Sequence, residues 1–196
     1  HSRLGMVQED SFMKRVEELR KAGAKYIFLK TGAYRPVDLA RAVKFASKAE
    51  LDLLTVDAAG GGTGMSPWRM MNEWGVPGVE LWSLLYKYLK KIDEKGKFVP
   101  DVAVAGGITF EDQIFKALSL GAPYFKLVSM ARGPMAATMV GKTIGKRIDE
   151  RQIPVYVERF GNTAEEIFVT APELKRKFGD RFKDIPTGGL GLYGYF

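Results

Sequence analysis

The chain has 196 residues, of which 46% are hydrophobic and 27% charged, a composition typical of a folded globular protein. It contains no cysteine, which excludes a disulfide framework, a thiol nucleophile and a cysteine-ligated zinc or iron–sulfur site within these residues. Its single histidine, His1, excludes Ser-His-Asp catalysis, and we expect no metal site.

The net charge of +7 comes from 30 basic and 23 acidic residues, which are interleaved on the predicted helix surfaces. Because basic residues form no continuous stripe, we expect no nucleic-acid partner. No apolar run approaches the ~20 residues that cross a bilayer, and the N-terminus does not resemble a signal peptide. We therefore expect a cytoplasmic protein without membrane contact.

Short apolar runs alternate with helical patterns over roughly the first three quarters of the chain. The runs predict strands at Tyr26–Leu29, Leu53–Val56, Val102–Ala105 and Tyr124–Val128. Helices are predicted over residues 10–21, 36–49, 79–95, 110–120 and 134–150, with a further helical piece over 68–74. This order, with nearly continuous apolar strands, predicts an α/β fold with a parallel sheet covered by helices.

The pattern changes from Gln152 onward. Val155–Val157 is predicted as a short extended segment and Pro172–Phe178 as a short helix. The tail Pro186–Phe196 is rich in glycine and aromatic residues, and no element is predicted there. We expect two parts: residues 1–151 form the main α/β unit, and residues 152–196 form a C-terminal extension that packs on it.

Four βα units are half of an eight-stranded (β/α)8 barrel. A half barrel leaves two parallel edges with unpaired backbone groups, which invite further pairing. Two architectures therefore remain open at this point. The sheet is either an open doubly wound sheet or half of a TIM barrel, with the other strands supplied from elsewhere.

Glycine or charged residues follow all four predicted strands, at the ends where α/β proteins form their sites. Gly106-Gly107 directly precedes a predicted helix, where backbone N–H groups and the helix dipole favour a phosphate. Arg132, after the fourth strand, offers a forked cation for the same phosphate. The alternative is that the two glycines only make a tight turn.

Two charged residues accompany this pattern at the first two strand ends. Lys30 ends the first strand, where its ammonium suits the electron-rich edge of a flavin or an oxo-acid carboxylate; the alternative is an ordinary surface lysine. Asp57 leads into the glycine-rich loop Gly60–Gly64, where it suits a ribityl hydroxyl or an ammonium group, or caps the loop. The amides of that loop suit a cofactor or a carboxylate.

Together these residues resemble the FMN-binding glutamate synthase family. The resemblance rests on Leu29-Lys30-Thr31-Gly32, Val56-Asp57 with Gly60-Gly61-Gly62-Thr63-Gly64-Met65-Ser66-Pro67, Ala105-Gly106-Gly107-Ile108 and Ser129-Met130-Ala131-Arg132. It covers about residues 25–150 and corresponds to the last four strands of a flavin-binding (β/α)8 barrel. The resemblance implies FMN as cofactor and reductive amination of 2-oxoglutarate, or a related oxo-acid, to glutamate.

The resemblance also implies roles for individual residues. It places Lys30, the catalytic candidate, near the flavin ring or the oxo-acid. Gly61, Gly62 and Thr63 would lie along the flavin side chain. Gly106, Gly107, Ala131 and Arg132 would surround its phosphate.

The chain departs from the family in two respects. Residues 131–145 lack the cysteine cluster that holds a 3Fe–4S centre in family members, so we expect the iron–sulfur electron donor elsewhere. The first four βα units are also absent, so we expect the missing barrel half from a longer chain or a companion subunit, and an oligomeric assembly. The alternative function is a non-catalytic phosphate- or nucleotide-binding α/β module.

Overall fold

The structure is a computed structural model, and it describes residues 7–32, 35–59, 61, 69 and 73–196. The chain divides into two compact units, His1–Met130 and Ala131–Phe196. The helix predicted over residues 134–150 is observed at Arg132–Asp149 and belongs to the second unit.

The N-terminal unit alternates helices and strands in the predicted order. Its elements within the described residues are α1 (Glu9–Lys21), β1 (Phe28–Gly32), α2 (Pro36–Lys48), β2 (Leu53–Asp57), α3 (Gly78–Asp93), β3 (Asp101–Ala105), α4 (Glu111–Gly121) and β4 (Phe125–Ser129). All of the strands and helices predicted for this unit are confirmed within two or three residues at each end, apart from the helical piece over 68–74, most of which lies outside the described residues.

The four strands form one all-parallel sheet with the sequential order β1-β2-β3-β4. Helices α1 and α2, α2 and α3, and α3 and α4 contact each other in turn, as expected when right-handed crossovers place all helices on one face. A doubly wound sheet would reverse its strand order at a switch point, and this one does not. The sheet is open, which is consistent with half of an eight-stranded barrel and confirms the predicted fold class.

Strand alternation divides the sheet into a packed face and an inner face. The side chains at Leu54, Val56, Val102 and Val104 point toward the helices and are fully buried. The opposite face, here called the inner face, carries Phe28, Lys30 and Leu127 on the two edge strands, and the side chains of Phe28 and Leu127 are 63% and 53% exposed. In a complete barrel this face would be the interior.

The regular elements of the C-terminal unit are all helical. It consists of α5 (Arg132–Asp149), α6 (Val155–Glu158), α7 (Ala164–Ile167), α8 (Ala171–Phe178), a 3₁₀ segment (Gly179–Asp184) and α9 (Thr187–Tyr195). The predicted short helix at Pro172–Phe178 is confirmed as α8. The prediction of an extended segment at Val155–Val157 is wrong, because Pro154 and the residues after it begin a helical turn.

Helices α5 and α9 pack closely through glycines. A Cβ on Gly145 would lie 2.0 Å from Thr187 Oγ1, and one on Gly141 would lie 2.4 Å from the Thr187 carbonyl oxygen. On the facing helix, a Cβ on Gly191 would lie 2.5 Å from the Ala137 carbonyl oxygen. The glycines of the tail therefore serve a close helix contact, which explains how a glycine-rich segment forms a helix despite poor helix propensity.

No helix among the described residues is both long enough and apolar enough to cross a membrane.

Replacing Gly145 by valine should separate α9 from α5, because the new side chain would overlap Thr187. Overpacking of this kind costs about 1–3 kcal/mol. Hydrogen exchange followed by mass spectrometry should show faster exchange of the α9 amides. The control is Ala136→Val at an exposed position of the same helix, which should leave α9 protected. Equal α9 protection in both variants would contradict the close glycine contact.

Candidate functional site

The register of the four strands places their carboxyl ends side by side. Gly32 pairs with Asp57, Asp57 with Ala105, and Ala105 with Ser129, each at the last position of its strand. In parallel α/β folds, ligands bind at this edge of the sheet. The edge is therefore the place where the predicted site residues are expected to meet.

An ion pair joins the first two strands at this edge. The Lys30 ammonium lies 3.2 Å from Asp57 Oδ2. The two side chains differ in burial, because Lys30 is 57% exposed and Asp57 only 7%. An ammonium has three N–H donors, and Asp57 lies on one side of it. The exposed part of Lys30 can therefore also bind an anion.

The loop after β2 is anchored to the end of β3. The Ala58 N–H donates to the Ala105 carbonyl, and the Gly61 N–H donates back to the Ala58 carbonyl, both at 2.8 Å. A Cβ on Gly61 would lie 3.1 Å from Asp57 Cβ and 3.2 Å from Gly106 Cα. Only glycine at position 61 allows this approach, so the entry to the glycine-rich loop packs directly on Gly106.

Gly106 and Gly107 make the turn between β3 and α4 with positive φ angles of 99° and 82°. Both lie in the left-handed region that favours glycine. A Cβ on Gly106 would lie 2.9 Å from Ala58 backbone atoms, whereas one on Gly107 would meet no atom within 4 Å. Gly106 is therefore needed for packing, and Gly107 borders open space.

The start of α4 is partly occupied by its own side chain. Gln113 Oε1 accepts hydrogen bonds from the N–H groups of Thr109 and Phe110, at 2.7 and 3.0 Å. These two N–H groups stand just before the first residue of α4, Glu111, and they are not free for a phosphate, because the Gln113 carboxamide accepts from them. A phosphate at this turn would have to rely on the backbone around Gly106 and Gly107 or displace Gln113.

The structure brings four of the predicted site residues together, namely Lys30, Asp57, Gly61 and Gly106. Lys30 forms an ion pair with Asp57, and Gly61 packs against both Asp57 and Gly106. Gly107 is the next residue along the chain. Gly62 and Thr63 lie outside the described residues. Ala131 and Arg132 lie at the start of α5 in the C-terminal unit, and their predicted part in phosphate binding stays a prediction.

Sequence reasoning did not single out three residues that shape this edge. Gly32 stands opposite Asp57, Ala58 links the loop to β3, and Gln113 caps α4. The Gln113 cap had a visible signal, since glutamine at the third helical position commonly reaches back to the first turn. The roles of Gly32 and Ala58 depend on strand register, which the sequence pattern does not specify.

Comparison of the amino-acid sequence with known proteins identifies a family to which it is similar. Residues 3–141 match the model of the conserved region in glutamate synthase. The chain is also similar to the glutamate synthase large subunit-like protein YerD of Bacillus subtilis (strain 168), with 29% identity over 122 residues. That match covers 61% of this chain and 22% of YerD, so the chain spans about a fifth of that relative's length.

The family match covers well over half of the chain and includes all four strands and the candidate site. The chain belongs to the glutamate synthase family.

Proposed function

We propose that this chain is half of an FMN-binding barrel and takes part in the reductive amination of 2-oxoglutarate, or a related oxo-acid, to glutamate. The observation that carries the proposal is the convergence of Lys30, Asp57, Gly61 and Gly106 at the carboxyl edge of a sequentially ordered parallel sheet. Family membership supports an oxidoreductase of the glutamate synthase type.

The residues present fit a phosphate-bearing cofactor. Gly106 and Gly107 hold the backbone in a conformation that other residues rarely adopt, and the space beside Gly107 is open. This arrangement allows a phosphate to approach the main chain closely. FMN, when bound, would supply hydride transfer, the chemistry that reductive amination requires.

Lys30 is the residue best placed to act on an anionic group. Its ammonium is more than half exposed and is held at the edge by Asp57. It would attract the carboxylate of an oxo-acid or the electron-rich edge of the flavin, since both carry negative charge. Gly61, Gly62 and Thr63 would then follow the flavin side chain.

The open sheet supports the proposal that the rest of the barrel comes from elsewhere. Among the described residues, the edge strands β1 and β4 each pair on one side, and the inner face exposes Phe28 and Leu127. A longer chain or a companion subunit would pair with both edges and cover these apolar side chains. Because the chain contains no cysteine, an iron–sulfur electron donor would also come from outside it.

The first test is flavin binding by the complete protein purified from its source. Oxidised FMN absorbs near 450 nm, so the preparation should be yellow and should release FMN on denaturation. Native mass spectrometry of the same material should show the polypeptide that completes the barrel. A colourless protein that stays colourless after addition of FMN would contradict the flavoenzyme proposal and favour the non-catalytic binding module.

Arg132→Ala should weaken FMN binding if the guanidinium contacts the phosphate. Loss of a charge-assisted hydrogen bond costs about 1.5–3 kcal/mol, which corresponds to roughly a 10- to 150-fold rise in Kd. Fluorescence quenching of added FMN measures the change. Arg176→Ala, at an exposed position of α8, should bind as the wild type does. Equal Kd values for both variants would remove Arg132 from the site.

Lys30→Met should reduce oxo-acid-dependent glutamate formation by at least about 100-fold, because it removes the cation proposed to stabilise negative charge. Turnover is measured with 2-oxoglutarate, ammonia and a chemical reductant of flavin. Lys87→Met, at an exposed position of α3, should retain nearly full activity. Wild-type activity in the Lys30 variant would show that this lysine has no catalytic part.

A further inference from the structure

We propose that Asp57 is a positioning residue, which fixes the Lys30 ammonium at the carboxyl edge and thereby sets how Lys30 meets an anionic ligand. This inference rests on the proposed function of the site. It assigns to Asp57 a role different from the direct cofactor contact expected from the sequence.

The first argument is the rigidity of Asp57. Its backbone lies at the end of β2 between Gly32 and Ala105 of the neighbouring strands. Its Cβ is confined by Gly61, where even a single added carbon would come within 3.1 Å. The backbone and Cβ of Asp57 are therefore closely packed, and the carboxylate is the buried member of the ion pair.

The second argument is the imbalance in burial. Asp57 and Ser47 are the buried polar residues among the described part of the chain, and Asp57 is the charged one. A buried carboxylate is unfavourable unless it is paired, so the Asp57 charge favours the Lys30 conformation that reaches it. Lys30 is mostly exposed and has a flexible side chain, so without Asp57 its ammonium would sample many directions.

The third argument is the geometry of the two strands. Lys30 pairs with Thr55, whereas Asp57 pairs with Gly32, so the ion pair spans two residues along the sheet, about 6.6 Å. Gly32 lies on the same face as Lys30 and directly opposite Asp57. Because Gly32 has no side chain, it places no side-chain atom between Lys30 and Asp57.

These three features direct the Lys30 ammonium toward the edge where ligands bind, and away from the centre of the inner face. The ammonium is paired with Asp57, and more than half of the Lys30 side chain is exposed, so N–H donors remain for a ligand. The fitting ligand class is a carboxylate, or another planar anion, that accepts a hydrogen bond from the oriented Lys30 ammonium. Asp57 acts only through Lys30 and needs no contact with that ligand.

The experiment uses the complete protein and two variants. Asp57→Asn removes the charge but keeps the shape, and Gly32→Val keeps both charges but fills the space between them. The lysines are labelled by reductive ¹³C-methylation, and the Lys30 signal is assigned by its loss in Lys30→Arg. Lys126, an exposed lysine of β4 with no ion pair among the described residues, is the internal control.

In the wild type, the two methyl signals of Lys30 should be distinct, because the ammonium is held in one orientation, whereas those of Lys126 should coincide. In both variants the Lys30 signals should merge, and kcat/KM for the oxo-acid should fall about 10- to 100-fold, because the ammonium is no longer oriented. Distinct Lys30 signals in Asp57→Asn would overturn the proposal, as would merged signals with unchanged kcat/KM.

The methyl signals do not depend on flavin or on turnover. If the wild type binds no FMN, the function proposed above fails, and the Lys30 signals still decide whether Asp57 holds the ammonium. If FMN binds and the Lys30 signals are already merged in the wild type, the function stands and the positioning role is wrong.

Discussion

The register of one parallel sheet brings the candidate site residues together. Each strand has five residues, and pairing in the order β1-β2-β3-β4 aligns Gly32, Asp57, Ala105 and Ser129 along one edge. A shift by one residue would turn Lys30 and Asp57 into the helix-packed face, where an exposed ammonium has no place. The ion pair, the anchored loop and the glycine turn after β3 all depend on this alignment.

The candidate site pairs a buried negative charge with an exposed positive charge. Asp57 is buried, and Gly61 packs closely against it. Gly32 lies directly opposite Asp57, and the Lys30 side chain passes over Gly32 to reach the carboxylate. Of the glycines at this edge, Gly107 borders open space. Within the described residues, β1 and β4 are the edge strands of the sheet and Phe28 and Leu127 are exposed on its inner face, and both features are consistent with the proposed half barrel.

Much of the fold could be predicted from the sequence because its strands are short, apolar and bounded by glycine or charged residues. Strand order could not be predicted, since periodicity says nothing about which strands are neighbours; both a doubly wound sheet and a half barrel satisfied the pattern. The prediction for Val155–Val157 was wrong because three apolar residues fit a strand or a helical turn equally well. Helix α9 was missed because its glycines have low helix propensity, and its close contact with the glycines of α5 and its packing through Leu190 are tertiary features. At the site, residue types indicated Lys30, Asp57 and the glycines, whereas their pairing emerged only from the register.

A crystal structure of the complete protein with FMN tests the central claim most directly. The account predicts that the two edges of the sheet are paired into a closed barrel, with the flavin at the carboxyl edge, the Lys30 ammonium within hydrogen-bonding distance of the flavin or of a bound oxo-acid, and the phosphate beside Gly107. Flavin bound away from this edge, with Lys30 and Gly107 both distant from it, would contradict the account.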